Sequence, residues 1–343
     1  MKDILILTDY KGNFGSKWNA KPYRSGMDLK LITKRFSDFG FNVEIKSFGE
    51  FNFKLNNHAN KNIIYTSSED NEYLYKDYIE DIIQGAEVSG ANVIPPFKFL
   101  RANNNKVFME ILRDLIIPDK ILNTNYLSVL NEKFISKINF PVVMKESSGA
   151  MSAGVSKINN KDELISGIKK LNRKENFNNI KGYIKDFLRK KKHKDYIAES
   201  PYRTKFILQE MIPNLTSDYK ILVFGKRYYI FERPIRKNDF RASGSGNKNY
   251  IYGSKVKTSF DIFDYAEKLF NSLSIPNVSL DICKYDSKYL LFEFQGLYFG
   301  SVGQFKSDGY YQKVNNKWKF IYEKLQLEDV YVDSIIEYLN KKQ

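Results

Sequence analysis

The chain opens on a short apolar run, Asp3 to Thr8, followed by a Gly-containing loop and a stretch with helical spacing from about Asp28 to Phe39. Apolar, β-branched-rich runs then recur at Asn42 to Ser47, Asn62 to Thr66 and Asn92 to Ile94, with a helical pattern at Leu74 to Ala86 before the last of them. Strands that alternate with helices predict a small parallel α/β unit, ending near residue 120. Beyond it, Lys106 to Leu115 repeats apolar residues at helical spacing behind an Asn cluster able to cap it. Residues 121 to 212 read as strand, loop, helix, strand, and Tyr219 to Phe231 as a hairpin turned at Gly225-Lys226. Terminal helices are expected at Asp261 to Leu273 and at Lys317 to Leu339. The pattern divides the chain into 1–120, 121–212 and 213–343, with a polar Gly/Ser cluster at 239 to 249 as a candidate functional loop.

Two of the apolar runs carry acids. Asp281 sits in Val-Ser-Leu-Asp-Ile, and Leu-Leu-Phe-Glu-Phe-Gln brings Glu293, twelve residues after Asp281, together with Gln295. Alternation along a strand puts Glu293 and Gln295 on one face and Phe294 on the other, and a paired strand can set Asp281 beside them. Such hard oxygen donors suit Mg²⁺, the usual escort of ATP; a charged rim on an antiparallel pair would have the same pattern. Phe140-Pro-Val-Val-Met-Lys145 reads as a buried strand that releases a lysine into a loop of small residues, Ser147, Ser148 and Gly149 among them. Backbone N–H groups of such a loop can close over a phosphate, although the Gly-Lys-Ser/Thr order of a Walker loop is missing. The strand Phe206 to Ile212 offers a wall for a purine, and Arg233, Arg236 and Arg241, all within nine residues, suit neutralisation of a phosphoryl group.

Composition narrows the classes. The chain has 343 residues, 24 Tyr and 26 Phe, as expected of a folded protein of two or three domains. No run approaches the roughly 18 to 20 apolar residues that span a bilayer, so a soluble, cytoplasmic protein is expected. One cysteine and two histidines make a disulfide, a cysteine-built zinc site or a histidine triad poor candidates. The net charge of +15 is concentrated partly in Arg173 to Lys194. That segment reads either as a solvated lysine-rich insertion or as a footprint for nucleic acid, an anionic membrane surface or an acidic substrate. No nucleic-acid module accompanies it, so nucleic acid is the less favoured partner.

In order, Pro-Val-Val-Met-Lys145, Gln209-Glu210, Asp218, Glu232-Arg233, Asp239-Phe-Arg241, Asp281 and Glu293-Phe-Gln295 resemble the ATP-grasp superfamily, and within it the ligases that add glutamate to ribosomal protein S6. The resemblance covers about residues 100 to 303. It implies an α+β ATP-grasp fold: a small N-terminal α/β domain followed by two α+β subdomains that sandwich ATP. It further implies that Lys106, Lys145 and the loop at Ser147, Ser148 and Gly149 contact ATP phosphates, and that Gln209, Glu210, Met211 and Ile212 line the adenine, with Asp218 also in the nucleotide-binding set. Asp281, Glu293 and Gln295 would hold Mg²⁺, or Mn²⁺ in its place, and Arg233 and Arg241 would face the transferred phosphate. The implied activity is an ATP-dependent carboxylate–amine ligase that works through an acyl phosphate on an amino acid, a peptide or a carboxylated sugar, with an anionic substrate compatible with the charge and a homodimer as the default assembly. A phosphotransferase on the same scaffold and a basic nucleic-acid-binding protein are the alternatives. Gln295 and Ser243 stand where that family usually has Asn, Lys220 where it has Arg, and Asn105 where Asp is common, which suggests a divergent branch with its own substrate.

Overall fold

The computed structural model describes residues 2–54, 58–117, 122–129, 132–149, 154–172, 180–198, 200, 202–235, 239–241 and 249–342. Arg236, Ser243, most of the 239–249 cluster, part of the small-residue loop after Lys145 and residues 173–179 of the basic segment lie outside them.

The N-terminal run becomes β1 (Lys2–Thr8), whose last five residues are buried. It pairs in parallel with β2 (Phe41–Ser47) and β3 (Asn62–Tyr65), and β3 with β4 (Asn92–Ile94), giving a sheet of order β2-β1-β3-β4. Central strands covered on both faces are continuously apolar, which is why β1 and β3 do not alternate. The helix Leu29–Asp38 starts where the Asp28 carboxylate accepts from the Lys30 and Leu31 amides, a cap worth about 1 kcal/mol, and buries Ile32 and Phe36. The parallel α/β unit expected from the pattern is present.

Two compact units are found. One contains residues 104–111 and 120–214. Its sheet combines β5 (Thr124–Val129), β6 (Val142–Glu146), β7 (Val155–Ile158) and β8 (Arg203–Glu210) in the antiparallel order β5-β8-β6-β7. Val142, Met144, Phe206 and Leu208 from this sheet pack on Leu164 and Ile168 of the helix Lys161–Leu171. The described part of the basic segment is a helix, Ile180–Lys192, that buries no residue and leaves Ile184, Phe187 and Leu188 exposed beside its lysines.

The other unit contains residues 1–103, 112–119 and 215–343. Its antiparallel sheet runs β13-β12-β9-β10-β14-β15, built from β9 (Ser217–Phe224), β10 (Arg227–Pro234), β12 (Asn277–Tyr285), β13 (Lys288–Gln295), β14 (Tyr310–Val314) and β15 (Lys317–Ile321), with the short β11 (Ile251–Tyr252) on β10. The helix Leu327–Lys342 is buried along most of its length and joins this sheet to the parallel one in a single core, where Val330 and Ile335 meet Ile4, Ile32, Leu222 and Phe224. One expectation fails here. Lys317 to Leu339 is not one helix, because Asn315 and Asn316 both take positive φ (50° and 60°) and turn a two-residue hairpin that sends Lys317–Ile321 back along β14. Trp318, buried between exposed Lys317 and Lys319, has the period of a strand. Among the described residues, no helix is long and apolar enough to cross a membrane.

Candidate active site

On β9, β10, β12 and β13, strand register assembles a polar face from residues far apart in sequence. Arg233 lies opposite Asp218, Asp281 lies opposite both Lys220 and Glu293, and Ser279 lies opposite Gln295. Opposed residues on paired strands share a face. Within it the Arg233 guanidinium grips Asp218 in a fork, Nε to Oδ1 at 2.6 Å and Nη2 to Oδ2 at 2.7 Å, and also reaches Asp281 Oδ2 at 3.1 Å. Lys220 Nζ donates to the other Asp281 oxygen at 2.9 Å. Two acids and two bases thus form a charge-balanced quartet, with Arg233 and Asp218 buried.

Burial by itself would raise the Asp281 carboxyl, but the Arg233 and Lys220 charges outweigh it and hold the group at about 2. Asp218 is pushed the other way, by its deeper burial and by the neighbouring Asp281 charge. The sign for stability follows. An aspartate in the unfolded chain titrates near ~3.9. Asp281, held below that value, contributes stability that is whole above it and is lost as pH falls toward the folded value. The advantage of the native chain over Asp281→Asn is therefore expected to be about 2 kcal/mol at pH 7 and to shrink steadily between pH 4 and pH 2 in urea titrations. A pH-independent difference would mean that the quartet does not hold this charge.

Glu293 and Gln295 differ from the quartet: both are half-buried, and neither side chain has a hydrogen-bond partner among the described residues. Glu293 is a carboxylate with no cation committed to it among the described residues. No three Asp, Glu, His or Cys converge on one point among the described residues. Apart from Asp218, which the Arg233 fork occupies, the donors on this face are two carboxylates and an amide, and each Asp281 oxygen already accepts from a cation while keeping a second lone pair. Oxygen donors in that number suit a hard divalent ion whose other positions are filled by phosphate oxygens. Next to this polar face, Leu222 and Phe231 are covered by Gly303 of the helix Val302–Lys306, where a Cβ would come within 2.6 Å of the Phe231 ring.

Arg241 pairs with Asp239, Nε to Oδ1 at 3.0 Å and Nη2 to Oδ2 at 3.1 Å, and no contact among the described residues joins it to Arg233. In the other unit, Lys145 leaves β6 with its Nζ 2.7 Å from Gln209 Oε1, on the neighbouring strand β8. Lys106, buried at the start of the helix Lys106–Ile116, donates from Nζ to the Gly149 carbonyl at 2.7 Å and from its backbone to the Ser147 carbonyl at 2.8 Å. The structure therefore brings Lys106 to the loop that the sequence singled out. Ser148 is exposed, Glu210 ends β8 with its side chain exposed, and Met211 and Ile212 follow as half-buried residues beyond the strand.

Three residues outside the expected set belong to these clusters. Lys220 completes the quartet, and its position two residues after Asp218 on one strand was a legible signal. Ser279 is buried with an unpartnered hydroxyl opposite Gln295. Asn105 takes the capping place of an acid, accepting from the Phe108 amide at 3.3 Å and from the Ser147 hydroxyl at 3.1 Å.

A lysine-bearing antiparallel sheet in one unit, and an acid-bearing antiparallel sheet with a parallel α/β layer in the other, are the components of the ATP-grasp fold. The chain has the fold of that superfamily, as solved structures show. A peptide-associated (RiPP) ATP-grasp ligase from Chryseobacterium gregarium, solved with ADP and a leader and core peptide, is similar over 100% of this chain and 98% of its own, at 16% identity and a TM-score of 0.54. The D-cycloserine synthetase DcsG matches 98% of this chain and 99% of its own, with 10% identity and a TM-score of 0.55. A RimK-domain ATP-grasp protein from Sphaerobacter thermophilus covers 97% and 99%, with 11% identity and a TM-score of 0.50. No protein-family model matches the sequence, and no curated protein does.

Proposed function

We propose that the protein is an ATP- and Mg²⁺-dependent ligase that joins a carboxylate to an amine through an acyl phosphate. The observation that carries this reading is the face shared by Asp281, Glu293 and Gln295, where a carboxylate with no partner among the described residues stands opposite the Asp281 that the Arg233 guanidinium reaches, on an ATP-grasp fold. In this reading Lys106 and Lys145 hold ATP phosphates, the chain from Gln209 to Ile212 lines the adenine, and Arg233 and Arg241 face the transferred phosphoryl group. Mg²⁺, when bound by Asp281, Glu293 and Gln295, supplies neutralisation of the phosphate oxygens. Arg233 is oriented by Asp218, so its fork is fixed before any substrate arrives and needs no reorganisation as charge develops. The acyl phosphate needs no side-chain nucleophile, and the amine that displaces phosphate completes the amide. Among the substrates considered from the sequence, a peptide gains support from the peptide complexes solved for similar ligases.

Purified protein given Mg-ATP with pools of carboxylates and amines is expected to release ADP and phosphate in step with amide. ADP with a stable phosphorylated product, seen by phosphorus NMR, would identify a phosphotransferase instead. No ADP with any pool would overturn both.

A further inference from the structure

At the carboxyl edge of the parallel sheet, the unit of residues 1–103, 112–119 and 215–343 holds a half-open cleft whose cavity volume is about 30 Å³ and which widens toward solvent. Ligands of open α/β sheets bind at this edge. Its walls are Phe14, Tyr65, Phe224 and Tyr331. Leu297 and Tyr298, two and three residues beyond Gln295, close one side, so the strand that carries Glu293 runs directly into the cleft.

Two properties set its chemistry. None of the sixteen lining residues is charged. Three of its polar side chains are already committed: the Tyr65 hydroxyl donates to the Pro95 carbonyl, Thr66 accepts from the Gly15 amide and donates to the Ser67 carbonyl, and Ser301 accepts from the Trp18 amide. Two others matter for a ligand. Ser67, 4% exposed, has a buried hydroxyl with no partner among the described residues, and the carboxamide of Asn277 makes no hydrogen bond among them. A buried polar group in a native protein is nearly always satisfied, by protein, water or ligand. The surroundings also disfavour an anion. Burial first, then the charges of Glu69 and Asp9, raise the Tyr298 hydroxyl, with Arg24 opposing them.

We propose that this cleft is a specificity pocket for an uncharged side chain of the molecule being modified, an apolar body ending in one hydrogen-bonding group that pairs with Ser67 and Asn277. A carboxylate in the same place would find no cation among the lining residues to compensate its burial. The pocket's purpose rests on the ligase reading, whereas its occupancy does not.

The test is calorimetric titration of the full chain with the N-acetyl methylamides of glutamine, tyrosine and glutamate, each run with and without a non-hydrolysable ATP analogue. At least one neutral probe is expected to bind about tenfold or more tighter than the glutamate probe. Ser67→Ala should weaken that probe about fivefold or more, and Leu297→Trp, which fills the cleft, should abolish its binding, with circular dichroism confirming that both variants are folded. Failure of both neutral probes, equal binding of the glutamate probe, or unchanged affinity in both folded variants would overturn the pocket, the last by placing the probe elsewhere or leaving the cleft to water. Because these titrations involve no turnover, that failure leaves the ligase reading standing. Saturable binding in a protein that never forms ADP would do the reverse.

Discussion

Glu293→Gln is expected to reduce ADP formation by about a hundredfold or more, the scale on which a single electrostatic group in a reacting centre acts. The same substitution should leave the unfolding free energy within about 0.5 kcal/mol of the native value. The reason for the split is geometric. Glu293 has no hydrogen bond or ion pair to lose among the described residues, so its charge has no structural role to forfeit. Its neighbour Asp281, opposite it in register, is held by two cations, and a change there disturbs folding as well. Parallel measurement of turnover, urea unfolding and nucleotide-induced thermal shift separates the two effects. Ordinary turnover in Glu293→Gln would dismiss the metal assignment for this face.

Arg233→Met carries the largest expected cost in stability, about 3 to 5 kcal/mol at pH 7, because it strands Asp218 and leaves Asp281 with Lys220 alone. The loss is a desolvation effect, so it should respond to pH in a defined direction. Without the guanidinium, the stranded carboxyl titrates above its unfolded value, and stability returns as pH falls and the group protonates. Urea titrations at pH 7 and pH 4 should therefore show the gap between variant and native protein narrowing. Adding Asp218→Asn to Arg233→Met should recover part of the loss, since the two side chains form one coupled pair. A gap below about 1 kcal/mol, the same at both pH values, would mean that this pair behaves as a solvated surface bridge.

These expectations divide according to what the sequence could reveal. The alternation of Leu-Leu-Phe-Glu-Phe-Gln was enough to put Glu293 and Gln295 on one face, and the turn at Asp286-Ser287, where both residues take positive φ, marked the hairpin, but it is a bulge between Asp281 and Ile282, which no local signal announced, that sets Asp281 opposite Glu293 rather than Phe292. The cap at Asn105 was equally local. At Asn315-Asn316 the same kind of signal was present and a helix was expected instead, because the apolar residues of Lys317 to Leu339 also fit helical spacing when the turn is ignored.

The charge quartet was not legible in this way. Asp281 meets Lys220 and Arg233 because β12 inserts beside β9, across some sixty residues of sequence, and nothing within either segment records that choice. The cleft beside Ser67 likewise draws its walls from segments scattered between Phe14 and Tyr331. The sequence by itself determined most of the strands, the shared face of Glu293 and Gln295, and the ordered set of lysines, acids and arginines that resembles ATP-grasp proteins. Only the tertiary structure decided that Asp218 and Asp281 share one arginine, that Glu293 has no ion-pair partner among the described residues, and that a cleft with no charged lining residue follows it. Side-chain period is a property of a few consecutive residues, whereas ion pairing and enclosure depend on which distant strands become neighbours.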